Sequence, residues 1–287
     1  MEVIHSIADL RERIAAFRRK SEHSVGFVPT MGYLHEGHAS LLRKAREQNG
    51  LVVLSIFVNP LQFGPNEDFD KYPRNAERDL NVAEAEGVDI VFMPEVKEMY
   101  PSQVRTTVSV TGLTSRLCGA SRPGHFDGVA TVVSKLFHIV QPDQAYFGLK
   151  DAQQIAVIQQ MVNDLNMPVE IVPCPILRES DGLAMSSRNV YLNDEERKQA
   201  LVLSQALMKA KDYIQANANF TAASLYDLIT RHIETASLAQ IDYVEVLAYP
   251  TLEPFAMESS PHAEHSSIII ALAVKFGKTR LIDNLII

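Results

Sequence analysis

The stretch Thr30-Met31-Gly32-Tyr33-Leu34-His35-Glu36-Gly37-His38 concentrates more chemistry than any other part of the chain. His35 and His38 lie three positions apart, so on the first turn of a helix their imidazoles share one face. Such a pair suits a triphosphate whose charge grows in a transition state. Gly32 and Gly37 let the backbone approach a ligand closely or adopt positive φ. The same spacing also serves a metal site or two surface histidines. No third ligand lies nearby, and Cys118 and Cys174 are far away in sequence, so a zinc site is not expected. The chain has neither a Walker loop nor a dinucleotide glycine fingerprint, so a nucleotide bound here would use another loop design.

Four further segments carry groups of the same kind. Asn59-Pro60-Leu61-Gln62-Phe63 offers amides that hydrogen-bond hydroxyls or carboxylates without adding charge, although Asn-Pro by itself signals a plain turn. Arg122-Pro123-Gly124-His125-Phe126 is a stiff basic turn, or a solvated loop. Gly148-Leu149-Lys150-Asp151 places a lysine where phosphate charge needs neutralising, and Asp151 where a helix N-cap is expected. Met185-Ser186-Ser187-Arg188-Asn189 sets two hydroxyls beside a guanidinium, an anion grip or a flexible linker. Each is weak alone. As a set they supply positioned cations and donors around phosphate.

Elements must bring these segments together. Non-alternating apolar runs predict strands at Val25–Val28, Leu51–Val58, Val88–Met93, Gln144–Phe147 and Val169–Pro173. Helical patterns fall near His38–Gln48, Asn75–Glu86, Val129–Ile139 and Ala152–Asn163. This alternation predicts an α/β fold with a doubly wound, Rossmann-like parallel sheet, whose ligands bind beyond the carboxyl ends of the strands. The polar motifs follow Val28, Val58 and Phe147, at those ends. Near Leu177 the pattern changes to long helices, Asp194–Gln215 and Thr221–Ala236. Strand-like runs follow at Asp242–Leu247, Ser267–Val274 and Thr279–Ile286. We therefore expect domains at 1–176, nucleotide-binding and Rossmann-like, and at 177–287, a smaller C-terminal α+β domain. The histidines of Pro261-His262-Ala263-Glu264-His265 read as a solvated loop.

The 287 residues are 46% hydrophobic, enough for a full core. A net charge of −8 argues against nucleic-acid or membrane-surface binding, though not against a locally basic site for anions. Two cysteines do not make a disulfide scaffold, and neither a signal peptide nor an apolar run of membrane-spanning length is seen, so a cytoplasmic enzyme is expected.

Taken in order, Thr30–His38, Asn59–Phe63, Tyr72-Pro73-Arg74, Arg122–Phe126, Gly148–Asp151 with Gln153-Gln154, and Met185–Asn189 resemble the pantoate–β-alanine ligase family. His35-Glu36-Gly37-His38 resembles the His-x-Gly-His signature of the wider nucleotidyltransferase superfamily. Ser187 and Arg188 stand where that superfamily has a lysine-bearing run. The resemblance implies an AMP-forming acid–amine ligase that uses ATP and Mg²⁺. Pantoate would become a pantoyl adenylate with loss of pyrophosphate, and β-alanine would then displace AMP to give pantothenate. It implies a homodimer.

The resemblance also implies residue roles. Met31, Gly32, Tyr33, Leu34, His35, Glu36, Gly37 and His38 would wrap ATP, with both histidines on its phosphates and His38 the proton-donating catalyst. Gly148, Leu149, Lys150 and Asp151 would contact nucleotide, Lys150 through phosphate and Asp151 through ribose. Leu177 would meet adenine, and Met185, Ser186, Ser187 and Arg188 would close over ATP. Gln62 and Gln154 would hold pantoate, Arg122 and His125 would form pocket wall, and no protein-built metal site is implied. Leu149 departs from the family, which often has a polar residue there. A carboxylate needs no general base to attack phosphorus, so charge neutralisation and alignment carry the first step. A hydrolysis-prone acyl adenylate calls for a lid, and Gly64–Tyr72 and Glu179–Arg188 are the candidates. The remaining alternatives are a nucleotidyltransferase acting on a phosphate ester and a non-catalytic nucleotide sensor.

Overall fold

A computed structural model describes residues 1–65, 67, 69–259, 261 and 267–287; His262 and His265 lie outside the described residues. In chain order the elements are β1 (Glu2–Ile4), α1 (Ile7–Arg18), β2 (Val25–Thr30), α2 (Glu36–Gln48), β3 (Leu51–Ile56), α3 (Ala76–Ala85), β4 (Ile90–Phe92), α4 (Val96–Met99), α5 (Leu117–Ser121), α6 (His125–Val140), β5 (Gln144–Gly148), α7 (Ala152–Asp164), β6 (Glu170–Cys174), α8 (Asp194–Ala200), α9 (Val202–Ala216), α10 (Ala222–Ile233), β7 (Ala239–Ala248), β8 (Ile268–Phe276) and β9 (Thr279–Ile286). They form two compact units. The first comprises Met1–Thr111, Arg122–Leu149 and Val157–Pro175; the second comprises Gly112–Ser121, Lys150–Ala156 and Ile176–Ile287.

The first unit is built on a parallel sheet in the order β1-β4-β3-β2-β5-β6. The runs that lack alternation are its inner strands: Val25, Phe27, Val28, Val52, Val53 and Leu54 are all fully buried. Both faces are therefore covered, as a parallel sheet requires. From β2 the chain winds outward through β3 and β4, then returns to lay β5 on the other side of β2, pairing Gly26 with Gln144 and Phe27 with Ala145. That reversal is a topological switch point, and the carboxyl ends of β2 and β5 flank it.

The second unit carries an antiparallel meander, β7-β8-β9, against α9 and α10. Its core includes Leu203, Leu207, Leu225, Ile229, Ile268, Ile270 and Phe276. The expected doubly wound sheet and the smaller C-terminal α+β part are thus both present. Three expectations of detail change. The single helix over Asp194–Gln215 is two, α8 and α9, interrupted at Leu201, whose dihedrals (φ −61°, ψ −21°) stay helical. The strand from Leu51 ends at Ile56, and Phe57 N–H makes the last bond to β2, on Thr30 O at 3.0 Å. The N-terminal β1 and α1 were not anticipated: β1 buries only Ile4, and α1 only Leu10 and Ile14, too little pattern to read.

Candidate active site

In the first unit the loop after β2 is pinned from beneath. Asp79 sits on the buried face of α3, one turn from Ala83, and is 2% exposed. Its carboxylate accepts from Tyr33 N–H at 2.8 Å and from Leu34 N–H at 2.6 Å. Burial holds the Asp79 carboxyl above its ordinary value, outweighing the lowering by the two N–H groups. Gly32 (φ 83°) and Tyr33 (φ 52°) turn the chain in the left-handed region. A side chain at Gly32 would meet Asp79 Oδ2 and Ile56 Cγ2, each at 2.9 Å. Gly37 has no such requirement; it lies inside the first turn of α2.

That loop delivers His35 as the N-cap of α2, two residues earlier than the helix expected from His38. His35 Nδ1 accepts from Gly37 N–H at 3.1 Å, and His38 Nδ1 accepts from His35 N–H at 3.3 Å. The rings lie 4.1 Å apart, centre to centre. With both Nδ1 atoms accepting, the neutral rings carry their protons on Nε2. Two ring N–H donors thus stand at the positive end of a helix, a suitable anion site.

Gln62 closes a 3-10 turn, Pro60–Gln62, and is 9% exposed. Its Oε1 accepts from Asn59 Nδ2 at 3.2 Å, and its Nε2 lies 3.2 Å from Met31 Sδ. Asn59 Nδ2 also donates to Gly128 O at 3.1 Å, while Tyr100 OH donates to Asn59 Oδ1 at 2.9 Å. Burial pushes the Tyr100 hydroxyl up to about 12. The turn presses so closely on α6 that a Cβ on Gly128 would collide with Leu61 O. His125 Nδ1–H donates to Gln62 O at 2.8 Å, and Arg122 Nη1 reaches His125 Nε2 at 3.1 Å. Arg122 also grips Glu67 through two hydrogen bonds, 2.6 and 2.7 Å. Burial raises the Glu67 carboxyl, but the hydrogen bond and charge of Arg122 outweigh it and leave it below its ordinary value. Within Gly64–Tyr72, Glu67 is therefore tied down; Asn66 and Asp68 lie outside the described residues.

In the second unit Lys150 follows Leu149 in the 3-10 turn Leu149–Asp151, with its Nζ 4.0 Å from Asp151 Oδ2. Gln153 and Gln154 differ sharply. Gln153 is buried and committed: it accepts from Cys118 N–H at 3.0 Å and donates to Leu113 O and Arg116 O, both at 2.8 Å. Gln154 is half-buried. The segment from Leu177 is a hairpin rather than a loose linker. Met185 N–H bonds Leu177 O at 3.0 Å, and Arg178 pairs with Ala184. Ser186 Oγ caps the next 3-10 turn by accepting from Arg188 N–H at 3.3 Å, and Ser187 is 9% exposed. Arg197 ties down Glu179 and Asp181, at 2.7 and 2.6 Å. Lys150 and Ser186 line one small cavity with Asn189 and Asp283.

Among the described residues no group of three or more His, Cys, Asp or Glu side chains is placed to hold a metal ion. None of the described helices is long and apolar enough to cross a membrane. The free thiols of Cys118 and Cys174 are buried, and burial pushes Cys174 up to about 11.

The family model described as pantoate-beta-alanine ligase matches residues 2–286. The chain belongs to the pantoate–β-alanine ligase family. It is 56% identical over 287 residues to the pantothenate synthetase of Caldicellulosiruptor saccharolyticus, covering 99% of this chain and 97% of that one. The crystal structure of pantothenate synthetase from Thermus thermophilus superposes with a TM-score of 0.90 at 45% identity, covering 99% of both chains. A Francisella tularensis pantoate-beta-alanine ligase, described as complexed with beta-gamma ATP and beta-alanine, superposes with a TM-score of 0.78 at 32% identity, covering 99% of this chain and 97% of that one.

Asp79 is the residue of this ligase that reading along the chain passed over. Its signal was an acid at the apolar position of a helical pattern, four before Ala83. Asp79→Asn keeps the volume but turns an NH₂ toward one of the two backbone donors. We expect a stability loss of about 1–3 kcal/mol by thermal denaturation, and displaced His35 and His38 ring resonances by NMR. Unchanged melting and unchanged imidazole signals would contradict this support role.

Proposed function

We propose that this ligase condenses pantoate with β-alanine through a pantoyl adenylate. A pantoate carboxylate oxygen attacks the α-phosphorus of ATP, the bond to the bridging oxygen of pyrophosphate breaks, and pyrophosphate leaves. The neutral amine of β-alanine then attacks the acyl carbon, and the carbon–oxygen bond to AMP breaks. The observation that carries this reading is the reciprocal cap of His35 and His38. It puts the ring protons on Nε2 and sets the two imidazoles 4.1 Å apart at a helix N-terminus, next to the switch point of the sheet.

In this reading Met31, Gly32, Tyr33, Leu34, His35, Glu36, Gly37 and His38 wrap ATP, and His38 donates to the phosphate on which charge builds. Gly148, Leu149, Lys150 and Asp151 hold the nucleotide, Lys150 by its charge. Leu177, Met185, Ser186, Ser187 and Arg188 cover it. Gln62 and Gln154 bind pantoate. We assign residues 1–176 as the nucleotide- and pantoate-binding domain and 177–287 as the lid domain. Mg²⁺ belongs to this reading as a companion of the triphosphate; the described residues build no cage for it, and no step above is routed through it. The enzyme is proposed to be cytoplasmic, which accords with its unpaired thiols.

Three outcomes follow. His38→Ala and Lys150→Ala should lower kcat more than they raise KM, by about 10²–10³-fold, because loss of one donor to transition-state charge costs that much. Gln62→Ala and Gln154→Ala should chiefly raise the KM for pantoate. A His38→Ala enzyme with wild-type kcat would remove its assigned role.

The proposed homodimer should sediment as such at micromolar concentration; a monomer there refutes it.

The third outcome decides how the carboxylate is activated. Enzyme, Mg²⁺, ATP and pantoate, without β-alanine, should give a single-turnover burst of pyrophosphate. With ¹⁸O in the pantoate carboxylate, completed turnover should leave one labelled oxygen on AMP. Labelled inorganic phosphate with ADP as product would mean acyl-phosphate chemistry instead.

A further inference from the structure

Two consecutive residues of β9, Asp283 and Asn284, are polar and nearly fully buried, at 2% and 5% exposure. Successive strand residues point to opposite faces, so the two side chains serve different neighbours. Asp283 takes a two-pronged ion pair from Arg178, with Nη1 to Oδ2 at 2.6 Å and Nη2 to Oδ1 at 3.0 Å. The same Arg178 Nη1 donates to Gly182 O at 3.2 Å, closing the hairpin that leads into Met185–Arg188. Asn284 Nδ2 donates to Lys150 O at 3.0 Å. The backbone N–H of Asn284 in turn donates to Asp283 Oδ1 at 2.8 Å, so the strand's own backbone also holds the Asp283 carboxylate.

The Asp283 side chain is buried while that of Arg178 is 31% exposed, and an ion pair with a buried partner adds little stability over apolar residues of the same volume. What it supplies is direction: a planar guanidinium on a carboxylate fixes both distance and angle. We propose that Asp283 and Asn284 are positioning residues that hold the Lys150 turn and the 177–188 hairpin in one fixed relation, so that both grip the same polyphosphate. This rests on the nucleotide roles proposed above for those two segments. Neither residue touches substrate. Asn284 acts through the Lys150 backbone, and Asp283 through Arg178.

The test is a pair of mutant cycles read by pyrophosphate release. Asn284→Ala should lower kcat/KM for ATP about 10- to 100-fold, the scale of a misplacement of about 1 Å, and leave the KM for pantoate unchanged. Placed on Lys150→Ala, it should cost nothing further, because the group it positions is gone. Asn284→Leu keeps the volume without the donor and should behave alike if the alanine variant folds poorly. Asp283→Asn should likewise lower kcat/KM for ATP and add nothing to Arg188→Ala. Effects that multiply across a cycle, or that raise the KM for pantoate equally, mean a merely structural role and overturn the inference. So does wild-type activity in the Asn284 variants beside an impaired Lys150→Ala. If Lys150→Ala alone is wild type, the phosphate role of Lys150 fails first and the inference falls with it.

Discussion

Tyr33 and Leu34 turn their N–H groups inward at the end of β2, and the buried carboxylate of Asp79 accepts both. The geometry of the loop after β2 depends on that contact. Tyr33 holds a positive φ that a residue with a side chain rarely adopts, so something must over-determine it. Two hydrogen bonds to one carboxylate do so. With the turn held, His35 arrives at the N-terminus of α2 in extended geometry, where its ring can cap the helix. The exchange of backbone and ring contacts with His38 then orients both imidazoles. A displaced loop would lose the cap, the stacking and the direction of both Nε2 donors together.

Gln62 is placed by a different device. A glycine on α6 lets the Pro60–Gln62 turn press directly on the helix, and Asn59 bonds both partners across the seam. The Gln62 carbonyl is held by His125, which is itself held by Arg122, which is anchored on Glu67. Arg122 and His125 thus act structurally on the turn that carries the amide. This accounts for a basic motif packed beside that turn.

The second unit solves its problem with an edge strand. β9 has one neighbour in its sheet, β8, and contributes Asp283 and Asn284 as anchors for segments far away in sequence. The serine–arginine loop consequently has a defined shape before any ligand arrives, and Gln153 does the same for the 113–118 segment. Groups held in this way lose little freedom on binding, which favours affinity and rate alike.

The layers of the fold were legible along the chain, because a strand covered on both faces must be apolar throughout, as Leu51–Leu54 is, whereas a half-exposed helix brings apolar residues back every three or four positions. The motifs announced themselves for a related reason: histidine pairs, glycine-bearing turns and clustered hydroxyls are rare where only packing is at stake. What remained invisible were contacts between residues distant in sequence. The helical pattern puts Asp79 on the apolar face but does not say which donors it meets, and nothing local distinguishes Gln153 from Gln154, or Asp283 from an ordinary surface aspartate. Local pattern reports which face a residue occupies. Only the tertiary structure decides which backbone donor, carbonyl or guanidinium lies opposite it, and therefore whether a buried polar group supports the site or meets its ligand.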